Sequence, residues 1–69
     1  MIYILVLKIM NELKMETSND EKTVVNKIGS LRAEAGESLE GIYSLSAKGE
    51  LIQYKVSFQG TLKLERADS

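Results

Sequence analysis

The sequence contains no cysteine and no histidine. Without cysteine there is neither a disulfide framework nor a thiolate zinc site. Without histidine, the commonest general base and the commonest metal ligand are missing. A surplus of one charge is missing too: nine basic residues stand against ten acidic ones, for a net charge of −1. That balance is neither the basic footprint of a typical nucleic-acid binder nor the acid excess of a DNA mimic. The chain is also short. At 69 residues it makes one domain that buries only about 60% of its unfolded surface, a marginal core for which association is a common remedy. No internal repeat or low-complexity tract interrupts it. We read 1–69 as a single domain with residues 67–69 as a polar tail.

What is present is a hydrophobic content of 43%, which argues against disorder. Much of it alternates. From Leu51 to Phe58, the residues Ile52, Tyr54, Val56 and Phe58 fall on one side and Gln53, Lys55 and Ser57 on the other. Successive strand residues point to opposite faces, so this is a strand with one dry side. Its flanks repeat the alternation, which makes it the middle of an antiparallel meander. A two-residue Lys48-Gly49 loop would set Tyr43, Leu45 and Ala47 on the dry side with Ile52, Tyr54 and Val56. A three-residue loop, Gln59-Gly60-Thr61, would set Leu62 opposite Phe58 and Leu64 opposite Val56.

Ile2 to Ile9 is the most hydrophobic stretch and is rich in β-branched and aromatic residues, so strand is expected. Tyr3, Leu5, Leu7 and Ile9 make one dry series, continued at Leu13 and Met15. The other series is apolar only at Ile2, Ile4 and Val6 before Lys8. No positive residue precedes the run, no small-residue cleavage site follows it, and it is too short to cross a bilayer as a helix. The expectation is a cytoplasmic protein.

Thr17-Ser18-Asn19-Asp20 is a polar break. Ser18 and Glu21 have capping-box spacing, Val24, Val25, Ile28, Leu31 and Ala35 recur at helical spacing, and Gly36 suits a left-handed stop. The competing reading is a hairpin of Leu13–Thr17 with Thr23–Ile28, which would give a small all-β barrel. The expected fold is α+β: a β-α-β-β-β domain, an antiparallel meander with one helix on one sheet face. The helix would bury Val24, Ile28 and Leu31 against Tyr54, Val56 and Leu64.

Chemical motifs are thin. Gly41-Ile42-Tyr43 matches the opening tripeptide of the GIY-YIG nucleases, but the second tripeptide and the catalytic arginine and glutamate that follow it are absent in order. The order of elements resembles small ribosome-dependent RNases of toxin–antitoxin systems, which need several basic residues on the sheet. Here Lys55, Lys63 and Arg66 are offset by Glu50 and Glu65. Glu34, Glu37 and Glu40 read as a solvated acidic edge, because a calcium site needs a loop that converges six to eight oxygens. Tyr43, Tyr54 and Phe58 read as core aromatics ahead of a base-stacking platform. The hydroxyl nucleophiles have no partner base, so no catalysis, cofactor or metal is expected.

The expected function is a small non-catalytic protein-interaction module, a regulator or inhibitor that binds another protein and forms a homodimer. Its dimer or partner surface would be Ile2, Tyr3, Ile4 and Val6, because a contiguous apolar patch is seldom left uncovered. The same patch on a second copy would close it about a two-fold axis. A second reading is a nucleic-acid-binding domain whose dimer pools Lys55, Lys63 and Arg66 as a polar binding face. A third is a small ribosome-acting RNase.

Overall fold

The β-branched run Ile2–Ile9 forms β1, and the chain then turns back at once. Met10 and Asn11 both have positive φ, 52° and 68°. Those are the two left-handed positions of a type I′ loop, whose twist matches the flanking strands. The returning strand β2 (Glu12–Ser18) pairs with β1 from Ile9 opposite Glu12 to Tyr3 opposite Ser18. Helix α1 (Glu21–Gly29) and a 3-10 turn (Ala33–Ala35) follow, then β3 (Glu37–Leu45), β4 (Leu51–Phe58) and β5 (Leu62–Arg66). This computed structural model describes residues 1–67. Residues 68 and 69 of the expected polar tail lie outside the described residues.

The five strands form one open antiparallel sheet in the order β2-β1-β3-β4-β5, with the helix on one face. The architecture is α+β, as expected, and it is not a closed barrel. The order gains a strand, becoming β-β-α-β-β-β. The two-residue turn behind that strand also reverses the parity of the chain. Leu13 and Met15 therefore do not continue the dry series of β1. They lie opposite Lys8 and Val6, on the far face of the sheet.

On the covered face the core is Leu5, Leu7, Val24 and Ile42, with Ile28, Leu31, Tyr54, Val56 and Leu64 packed against it. Val24 and Ile28 reach this core from the helix as expected, whereas Leu31 reaches it from beyond the helix end. The helix itself is shorter than its apolar spacing suggested and ends at Gly29, short of Ala35. Its cap is Asp20, whose carboxylate accepts from the Lys22 N–H at 3.2 Å and the Thr23 hydroxyl at 3.0 Å. Ser18 closes the preceding turn by accepting from the Asp20 N–H at 3.1 Å. Glu21 turns away from a capping box and accepts from the Tyr3 hydroxyl at 3.3 Å. Gly36 is left-handed, at φ 77°, but it ends the 3-10 turn.

The β3–β4 loop also differs from expectation. Leu45 lies opposite Leu51 and Ser44 opposite Ile52, so the loop between Ser46 and Glu50 has three residues. The Ser46 hydroxyl accepts from the Lys48 N–H at 3.2 Å and the Glu50 N–H at 3.1 Å, and Gly49 takes φ 86°. A local side-chain acceptor and a glycine in the left-handed position set this loop. Tyr43 and Leu45 therefore lie on the face opposite Ile52, Tyr54 and Val56. The β4–β5 loop has the expected register, with Phe58 opposite Leu62 and Val56 opposite Leu64. Phe58 is nevertheless 72% exposed and not part of the core.

Candidate functional site

The open face of the sheet divides into two halves. The apolar half spans β2, β1 and β3 and reaches the first residue of β4. Strand pairing places Met15 beside Val6, Val6 beside Gly41, and Ile4 beside Tyr43. Ile2 lies beside Leu45, and Leu45 beside Leu51. Leu13 and Met15 are each 70% exposed, Leu51 63% and Ile2 48%. A shallow hollow of about 360 Å³ lies at the β2 end, lined by Val6, Leu13, Lys14 and Met15. Three structural causes assemble this strip. The parity flip at Met10-Asn11 adds Leu13 and Met15, the three-residue loop at 47–49 adds Tyr43 and Leu45, and a bulge sets the rest. In that bulge the β1–β3 register shifts between Val6 and Leu7, leaving Glu40 without a facing residue.

Of the residues expected to form a dimer or partner surface, Ile2, Ile4 and Val6 come together on this face. Tyr3 does not. As an odd-numbered β1 residue it faces the helix, where its ring lies 6.0 Å from that of Tyr54 and its hydroxyl donates to Glu21. Burial, with the Glu21 and Asp20 carboxylates nearby, raises the Tyr3 phenol above its ordinary value. Leu13, Met15, Leu45 and Leu51 belong to the strip and were missed. Only a positive-φ turn without glycine, at Met10-Asn11, marked the fold-back that places the first two.

The polar half lies over β4 and β5. Lys55 and Lys63 project from it, with Glu65 directly opposite Lys55 and accepting from the Ser57 hydroxyl at 3.0 Å. Arg66 pairs with Tyr54 in the ladder and so belongs to the other face. The expected trio is thus split, and its open-face members alternate with a carboxylate.

The remaining candidates have local partners. Gly41-Ile42-Tyr43 is an interior segment of β3. Ile42 is buried, and the Tyr43 ring lies over Gly41 so closely that a Cβ there would meet it at 2.9 Å. Glu34 accepts from the Arg32 side chain at 3.1 Å, Glu37 from the Arg32 N–H at 2.9 Å and Glu40 from Ser38 at 3.5 Å. Among the described residues no group of three His, Cys, Asp or Glu converges as a metal-binding set. Ser44 is fully buried, and its hydroxyl lies 2.9 Å from that of Tyr54, each satisfying the other inside the core. No helix among the described residues is long and apolar enough to cross a membrane. Comparison with family models, with curated proteins and with solved structures finds no match in any of the three.

Proposed function

We propose that this protein is a small non-catalytic protein-interaction module, a cytoplasmic regulator or inhibitor that works as a homodimer. It binds another protein through the apolar half of its open sheet face. The observation that carries the reading is the strip of Leu13, Met15, Val6, Ile4, Ile2, Leu45 and Leu51, which has the helix on the wrong side to cover it. Soluble monomers seldom expose contiguous apolar surface of this kind, and where it occurs it marks an interaction site. The hydroxyls near the core support a non-catalytic role, because the fully buried Ser44 hydroxyl is committed to the half-buried Tyr54 hydroxyl at 2.9 Å.

A basic nucleic-acid surface has less support. Lys55 and Lys63 stand with Glu65, and Arg66 is on the opposite face. An RNase built on the same residues has correspondingly little. Sedimentation over a range of concentrations, together with a salt titration of binding to mixed RNA and DNA, tests the proposal. The expected result is a dimer mass and no salt-sensitive nucleic-acid binding. Affinity for RNA or DNA that falls steeply with salt is the mark of phosphate contacts and would overturn it.

A further inference from the structure

We propose that the second copy pairs edge to edge along β2, antiparallel about a two-fold axis at Met15, joining two five-stranded sheets into one. The inference rests on the homodimer proposed above and assigns its contact. β2 ends the sheet order, so among the described residues one side of its backbone has no neighbouring strand. The Met10-Asn11 turn makes Ile9 and Glu12 the closing pair, which in a two-residue hairpin exchanges both main-chain hydrogen bonds. By alternation Glu12, Lys14, Glu16 and Ser18 bond to β1, while Leu13, Met15 and Thr17 present their N–H and C=O groups outward. Such a row is a template for another strand. Two of the usual protections are absent, since β2, ELKMETS, contains no proline and its pairing with β1 runs without a register shift. The third, charge, is present as Glu12, Lys14 and Glu16 and deters a strand that does not match it.

The side chains select both the occupant and the register. In a symmetric antiparallel pair, facing residues share a face of the sheet. With the axis at Met15, all seven residues of β2 overlap. Lys14 then faces the second copy's Glu16, and Glu16 faces its Lys14. Leu13 faces Thr17, and Met15 faces Met15. Moving the axis to Lys14 sets Lys14 against Lys14 and Glu12 against Glu16. Moving it to Glu16 sets Glu16 against Glu16. Like charges directly opposite are destabilising, so the register with the greatest overlap is also the one whose charges agree. The other edge, β5, offers less. It is only five residues long, its open-face side chains are Lys63 and Glu65, and Glu65 is already held by Ser57. Pairing at β2 instead joins the two apolar strips through Leu13 and Met15, doubling the surface presented to a partner.

The test is light scattering over a concentration series for the wild-type chain, Lys14→Glu, Glu16→Lys and a 1:1 mixture of the two variants. Both side chains are solvent-exposed, and Glu16→Lys exchanges an exposed ion pair with Lys27 at 3.4 Å for a solvent-screened like-charge neighbour, so both variants should fold. Circular dichroism checks that they do. The expected wild type is a dimer. Each variant alone turns two facing pairs like-charged and should raise the dimer dissociation constant by about tenfold or more. The mixture should return to dimers, because every facing pair is again opposite in charge. A wild-type dimer that neither variant weakens, or a mixture that stays monomeric when its components are, would overturn the edge contact and leave the homodimer standing. A wild type that is monomeric throughout would overturn both.

Discussion

At Ser44 a polar side chain occupies a fully buried position. It is tolerated because the Tyr54 hydroxyl lies 2.9 Å away, and a buried polar group is costly only when unpaired. Tyr54→Phe should therefore cost about 1–2 kcal/mol in chemical denaturation. Adding Ser44→Ala should recover part of that loss, because the orphaned hydroxyl is gone. Tyr3 gives a pH prediction. Its phenol is raised above the ordinary value of 10.0 in the folded state, so above that pH the unfolded chain sheds its proton first. Stability from this group is complete below pH ~10 and is lost as pH rises through the folded value. Tyr3→Phe should flatten the fall in melting temperature above pH ~10.

At the scale of elements, the turns decided what alternation alone left open. Met10 holds φ 52° without glycine, a conformation that costs an ordinary side chain about 1 kcal/mol. Met10→Asn should raise the melting temperature, since asparagine tolerates the left-handed region and suits a type I′ loop. At the helix start, Asp20→Ala should cost ~1 kcal/mol and Ser18→Ala less, because Asp20 is the residue that accepts from the first turn. The alternation of β1, β4 and β5 and the apolar spacing of Val24 and Ile28 specify the covered face on those elements, but not on β3, where Ile42 and Ser44 are the buried residues. The opposite face was legible only at Ile2, Ile4 and Val6. Leu13 and Met15 read as a continuation of β1 because no glycine or proline marks the turn at Met10-Asn11. Tyr43 and Leu45 fall on the dry side only with a two-residue Lys48-Gly49 loop. The observed three-residue loop, held by the Ser46 hydroxyl, turns Ser44 inward instead, where the Tyr54 hydroxyl pairs with it.

At the scale of the molecule, the fold is two layers with one face of the sheet sealed and the other bare. The contrast is clearest within β1. Leu7 is fully buried under the helix, while Ile4, three residues away, looks outward. Leu7→Lys places an unpaired charge among Leu5, Val24 and Ile42, at a cost of several kcal/mol. That approaches the entire stability of so small a domain, and thermal melts should show no folded state. Ile4→Lys can carry its ammonium to water along the bare face and should melt within a few degrees of the wild type. Because the edge contact proposed at β2 would use main-chain groups and the Lys14–Glu16 pairs, the Ile4 variant of such a dimer should also keep its mass in light scattering. What it should lose is the continuity of the apolar strip between Met15 and Leu45, and with it the binding of a hydrophobic dye to the open face. A folded Ile4→Lys variant that becomes monomeric would move the two-fold contact from the β2 edge to the face, with the two strips packed against each other.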